Sequence, residues 1–152
     1  MPIHNLFYLV KGQINPNGLR NIGPRVRVEI QIPPILAEYF TQRGQPVPEP
    51  FSGDALFDTG ASISAVDNSA ITNLGINPMG VTQVHTPGGT VQQNLYPLRF
   101  FFPTLSNLTI DFNAVIGSEL RSQGIIALVG RDVLSRCMLV YNGLVGICTI
   151  SF

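Results

Sequence analysis

Residues 55–67, ALFDTGASISAVD, decide how the rest of the chain is read. An apolar run, Ala55-Leu56-Phe57, ends on an acid, Asp58, and the positions that follow, Thr59, Gly60, Ala61 and Ser62, carry little bulk. Burying a carboxylate is costly unless nearby donors compensate. A sharp Asp-Thr-Gly turn offers backbone N–H groups to the acid, and Gly60 lets backbone or a ligand come close without a Cβ in the way. The pattern suits a carboxylate presented at the floor of a cleft. The plainer reading is an aspartate that caps a turn.

The 152 residues fit one domain and are too few for two barrels of ordinary size. Nine basic and nine acidic residues give a formal net charge of +0, with no basic stripe for a nucleic acid and no acidic tail. Charged residues make up only 12%, about half the ~25% usual in soluble domains. Such a surface is either partly covered by another subunit or rich in uncharged polar groups. No apolar stretch approaches the ~18 residues of a membrane helix. The apolar run Leu6–Val10 has no basic residue before it and is too short for a signal peptide. A soluble, cytoplasmic protein without membrane partners is expected. Cys137 and Cys148 lack metal-ligand spacing, and His4 and His85 lie far apart. No metal and no cofactor is expected.

Short apolar runs punctuated by 15 glycines and 12 prolines read as mainly β, a sandwich or barrel. Arg25–Ile32 alternates strictly, with Val26, Val28, Ile30 and Ile32 on one face, and Pro33-Pro34 ends it. Ile35–Arg43 reads as a short helix or an irregular arm, and Gly44–Pro50 as an extended loop, so that 33–50 forms a proline-rich insertion. Asp54–Phe57 and Ser64–Val66 read as strands on either side of the Asp-Thr-Gly turn. Asn68–Leu74 reads as a helix capped by Asp67 or Asn68 and stopped by Gly75. Val81–Leu98 reads as a hairpin around Pro87-Gly88-Gly89. Leu98–Phe102, Thr109–Ile116 and Ile125–Val129 follow as strands, then Arg131–Arg136 as a helical piece. At the end, Asn142-Gly143 predicts a two-residue hairpin turn. Tyr141 then faces Leu144, and Cys137 falls opposite Cys148, within reach of a disulfide. Reduced thiols are the ordinary alternative.

With these residues in view, Asp58-Thr59-Gly60-Ala61-Ser62 after Ala55-Leu56-Phe57 resembles the active-site loop of the aspartic proteases, in particular the single-domain retropepsin type. A second match lies about seventy residues on, where Ala127-Leu128-Val129-Gly130-Arg131-Asp132-Val133-Leu134 resembles the family's apolar pair, glycine and short helix. The resemblance implies that Leu128, Val129, Gly130 and Arg131 support the loop from beneath. It covers residues 25–152 as the protease domain. Residues 1–24 have no clear counterpart and are expected to join a dimer interface. The implied fold is a closed β-barrel of the retropepsin type with one or two short helices.

The chain carries one Asp-Thr-Gly, so the resemblance implies a homodimer in which two copies of Asp58 meet across a two-fold axis. Two carboxylates about 3 Å apart share one proton. One then activates a water while the other protonates the carbonyl of a peptide or protein substrate. Thr59, Gly60 and Ala61 are implied to hold the loop, with the Thr59 hydroxyl reaching the second chain. Ser62, His85, Thr86, Pro87, Gly88 and Gly89 are implied at the substrate, the last five on a flap whose glycines let it bend. Val66, Val84, Leu98 and Val129 are expected as pocket walls. The apolar Met138–Phe152 hairpin is expected to lend Ile147–Phe152 to an intersubunit sheet, together with the strand around Leu6–Val10. Two positions depart from the family pattern. Ala61 replaces the serine of pepsin-type loops, which removes a donor and points to a less acidic optimum. Ser62 stands where viral members carry an acid for the Gly-Arg arginine. The alternative to an enzyme is a non-catalytic retropepsin-like module that binds peptides or dimerises.

Overall fold

The first residues form β1 (Ile3–Leu6), a hairpin of β2 (Leu9–Val10) and β3 (Gln13–Ile14), and helix α1 (Asn17–Ile22), in a computed structural model that describes residues 1–152. Lys11 and Gly12 take φ of +51° and +79° between β2 and β3, the paired positive values that a two-residue hairpin turn requires. Tyr8 anchors the unit. Its ring lies so close to Gly18 that a Cβ there would sit 2.6 Å from it, and its hydroxyl donates to the Gly23 carbonyl at 2.6 Å.

The alternating strand is β4 (Arg25–Gln31), whose Val28 and Ile30 are fully buried. The insertion opens with α2 (Pro34–Gln42), with Pro34 at its first turn, where a missing N–H costs nothing. Leu36, Ala37 and Phe40 dock this helix on the core. The chain then runs through β5 (Phe51–Phe57), β6 (Ala65–Asp67) and α3 (Asn68–Leu74). Asp67 caps α3 by accepting from the Ser69 N–H, and Gly75 ends it at φ +66°. Next come β7 (Gly80–Thr86), β8 (Gly89–Phe102) and β9 (Leu108–Ser118), then a 3-10 turn at Arg121–Gln123. β10 (Ala127–Val129), α4 (Arg131–Leu134), β11 (Met138–Asn142) and β12 (Ile147–Ser151) complete the chain.

Three expectations are corrected here. There are four α-helices rather than one or two. The unforeseen one, α1, has sequence NGLRNI and no side-chain cap, so neither propensity nor capping announces it. Leu98–Phe102 is not a separate strand but the second half of β8, which continues past an irregularity between Tyr96 and Leu98 where Pro97 lacks an N–H. The terminal hairpin pairs Tyr141 with Cys148 rather than Leu144, a shift of four residues. Its loop is Gly143–Gly146, and the positive φ, +72°, falls on Gly146. The Gly146 N–H closes the loop on the Asn142 carbonyl at 3.0 Å. Gly146 is pressed so close to Asn15-Pro16 that a Cβ would lie 2.5 Å from the Pro16 Cα. Cys137 and Cys148 are therefore not cross-strand neighbours, and both are free thiols.

The fold is mainly β. Seven strands form one sheet in the order β4-β5-β10-β6-β9-β8-β7, and β4 also pairs with β8 through Glu29–Gln31 against Arg99–Phe101. Its inner face carries the core, with Val28, Ile30, Val66, Phe100, Phe102 and Val129 shut off from solvent. A second sheet, β1-β12-β11, closes one end, with Ile150 buried in the same core. β12 is paired on both edges by strands of its own chain. No helix is long and apolar enough to cross a membrane.

Candidate active site

The site is built where β10 slots between β5 and β6. β10 runs parallel to β5, with Val129 beside Phe57, and antiparallel to β6, with Leu128 beside Ala65. The loop 58–64 joins β5 to β6 and so must arch over the end of β10. Backbone bonds fasten it there. The Asp58 N–H donates to the Val129 carbonyl at 3.0 Å, and the Arg131 N–H donates to the Ala61 carbonyl at 2.9 Å.

Small residues are needed at two points. Gly60 donates its N–H to Asp58 Oδ1 at 2.8 Å, and a Cβ on Gly60 would stand 3.0 Å from that oxygen. The acid is thus held by the turn that follows it, as the Asp-Thr-Gly pattern anticipates. At Gly130 a Cβ would lie 2.8 Å from the Ile63 carbonyl carbon and 3.0 Å from the Ala61 oxygen. Both are backbone atoms of the loop, so only glycine lets the loop rest directly on β10.

Two side chains of α4 grip the loop. Arg131 donates to the Thr59 carbonyl at 2.7 Å, which supplies the partner that its sequence neighbourhood left open. Asp132 accepts from the Ser64 N–H at 2.9 Å and from the Ser64 hydroxyl at 2.8 Å. Ser64 is fully buried, and its Oγ also accepts the buried Gly130 N–H at 3.1 Å. Ser64 and Asp132 are the members that the sequence reading missed. The available signal was a hydroxyl in an otherwise apolar stretch, which a buried position would oblige to find a partner.

Asp58 and Ala61 are half-buried, while Thr59, Gly60 and Ser62 are exposed. The loop therefore lies on an open face of the chain. The tip of the β7–β8 hairpin is bonded only within itself. His85 meets Thr90 at 2.9 Å, and the Thr86 hydroxyl donates to the Gly89 carbonyl at 2.9 Å across the Pro87-Gly88 turn. His85, Thr86, Pro87, Gly88 and Gly89 are all exposed, and no hydrogen bond joins them to the loop. At the hairpin's base, Val84 packs with Leu56, Ile63, Leu95 and Leu128 around Ala65, Ile116, Leu120 and Ile125. This small apolar cluster flanks the loop. By contrast, Val66 and Val129 are sealed in the main core and Leu98 lines a cavity beside α2 instead, so none of the three walls a pocket at the loop. The alternation of a strand settles this, since Leu56 and Leu128 point opposite to Phe57 and Val129.

Two cavities of about 500 and 460 Å3 lie elsewhere, beside α2 and between β9 and α4, and neither is lined by Asp58. No three His, Cys, Asp or Glu side chains cluster to hold a metal ion. Alone, the chain presents one carboxylate on an open surface, with a hairpin beside it whose tip makes no hydrogen bond to the loop.

The aspartyl protease family profile matches residues 43–133, which contain both the loop and its β10–α4 support. No curated protein matches the chain. Among solved structures, the solution structure of the simian foamy virus (mac) protease is 18% identical, covering 73% of this chain and 91% of that one at a TM-score of 0.44. A retropepsin-like aspartic protease from Rickettsia conorii is 13% identical, covering 98% of this chain and 89% of that one at a TM-score of 0.46.

Proposed function

Because the chain belongs to the aspartyl protease family, we propose that it is a homodimeric aspartic endopeptidase in which each copy supplies one Asp58. The observation that carries this reading is the seat of Asp58. It sits at the end of a strand, clasped by Gly60, on an exposed loop whose other contacts hold it in shape. A lone carboxylate on an open face has no counter-group to work with, and a second copy of the same loop would provide one.

In that dimer the two Asp58 carboxylates, at about 3 Å, cannot both be ionised, so the pair holds one proton. The ionised member takes a proton from a bound water, whose oxygen attacks the peptide carbonyl. The protonated member donates to the carbonyl oxygen as the tetrahedral intermediate forms. Proton return to the nitrogen then releases the amine, and the C–N bond breaks. Thr59, exposed beside the acid, is suited to bond the second loop. Arg131, Gly130, Val129 and Leu128 act as the loop's support. Leu56, Ile63, Val84 and Leu128 offer apolar surface for substrate side chains near Ser62. The exposed turn from His85 to Gly89 acts as the flap.

We read residues 25–152 as the protease domain with an insertion at 33–50, and residues 1–24 as a segment contributing to the dimer. The pairing of β4 with both β5 and β8 supports reading the main sheet as a closed barrel. Asp58→Asn tests the proposal. Cleavage of a mixed peptide library is expected to fall by at least about 10³-fold, since removing a catalytic group abolishes most of the acceleration. Unchanged cleavage sinks the assignment of Asp58. A wild-type protein that binds peptides and never cuts them would be a recognition module instead.

A further inference from the structure

β11 has one unpaired edge. Its inner neighbour is β12, whose two edges are filled by β1 and β11 of the same chain. The last strand therefore has no hydrogen-bonding edge left to offer another molecule while β1 stays in place. The free edges of this sheet belong to β1 and β11, and they differ in character. Pro2 precedes β1, and His4 and Asn5 lie within it, which blunts that edge. β11 reads Met138-Leu139-Val140-Tyr141-Asn142, without a charge or a proline. Met138, Val140 and Tyr141 are 50%, 49% and 50% exposed, and Leu144 in the adjoining loop is 89% exposed. An apolar, unguarded edge of this kind invites another strand.

Its place in the chain is equally pointed. α4 runs almost directly into β11, and Arg131 at the head of α4 holds the Thr59 carbonyl. A surface at β11 is thus tied through one short helix to the Asp58 loop. Size matters as well. A stable pair buries ~800 Å2 on each partner, close to a tenth of the 8765 Å2 this chain exposes. The small residues Thr59, Gly60 and Ala61 cannot supply that area. The half-exposed apolar side chains of β11 and its loop add the kind of surface required.

We propose that a second copy of this chain pairs its β11 with this β11, antiparallel about the two-fold axis. Val140 then lies near the axis, and six strands run in the order β1-β12-β11-β11-β12-β1. An antiparallel strand meeting its own copy is self-complementary, as a two-fold contact must be. This rests on the homodimer reading, moves the intersubunit seam from the final strand to the one before it, and puts β1 at the outer rim, so that residues 1–24 brace β12 and the Gly146 loop rather than cross the seam.

The test is Val140→Lys in the full chain, followed by sedimentation mass, thermal unfolding and peptide cleavage. Two lysines facing each other near the axis are expected to weaken dimerisation by at least about tenfold, with cleavage falling in step with the dimer fraction. A folded Val140→Lys protein as dimeric and active as wild type overturns the β11 seam and leaves the homodimer standing. A wild type that stays monomeric while cutting peptides overturns both. Where Val140→Lys fails to fold, Val140→Cys in a Cys137→Ser background decides. A disulfide-linked dimer that retains cleavage supports the seam, and a dimeric protein that never cross-links under oxidant overturns it.

Discussion

Ser64→Ala removes one oxygen and undoes two bonds at the base of the loop. The Gly130 N–H loses its acceptor in a place where Ser64 is fully buried, and Asp132 loses the hydroxyl donor. The consequences differ. Asp132 is exposed and keeps the Ser64 N–H, so water takes up the slack. The Gly130 N–H is enclosed between β10 and the loop and has no such recourse. An orphaned buried donor costs about 1–3 kcal/mol. With about 2 kcal/mol lost, the folding constant drops roughly thirtyfold. For a chain of this length that lowers Tm by about 4–8 °C. Differential scanning fluorimetry at fixed protein concentration measures the shift, and urea denaturation gives the free energy. Asp132→Ala leaves Gly130 satisfied and takes the acceptor from the Ser64 N–H and hydroxyl, but water can fill the place of the exposed carboxylate, so it is expected to cost less than Ser64→Ala. The double variant should cost less than the sum, because the two share a bond. A Ser64→Ala protein melting within about 1 °C of wild type would show that the Gly130 N–H is not confined as described.

Gly130→Ala forces a Cβ against loop backbone at 2.8 Å; a loss of about 1–3 kcal/mol is expected, together with reduced cleavage, and normal values of both count against the close seating of the loop. Asp67 supplies an acid-sensitive brace. Burial pushes its carboxyl up, but donors from Ser69, Leu120 and Arg121 outweigh burial and hold it below the ordinary value of 3.8. The stability it contributes is present above the ordinary carboxylate range and disappears as pH falls through the depressed folded value. Urea midpoints at pH 6 and pH 3 should therefore differ less in Asp67→Asn than in wild type. Cys148 is fully buried and Cys137 half-buried, and burial raises both thiols; in native protein Cys148 should resist a thiol reagent that labels it in urea, and mild oxidant should give no intrachain disulfide.

What could be read in the residues was what local chemistry dictates. The alternation of β4, the Asp67 cap with its Gly75 stop, and the acid at the end of an apolar strand each follow from a few neighbouring positions. The terminal hairpin was misread because Asn-Gly is the strongest short-range turn signal, yet here a tertiary contact wins. Gly146 is wedged against Pro16, 130 residues earlier, and the left-handed position moves with it. α1 likewise depends on Tyr8 filling the space beside Gly18. Within the site, the turn at Asp58 and the close seat of Gly130 follow from their residue types, whereas the Ser64 hydroxyl signals only that it needs a partner, and nothing local names Asp132, 68 positions on, as that partner.

The threading of β10 between β5 and β6 also has a bearing on time. The seat for Asp58 joins parts of the chain about seventy positions apart, and neither part can shape the loop alone. Closing so long a span is slow, because its entropy must be lost before any contact rewards it. On the proposed reading of Asp58, a chain whose β10 has not yet docked lacks the contacts that shape the loop and would hold no working acid. Folding rates that barely change in Leu128→Ala, with unfolding accelerated, would be the kinetic mark of that late step.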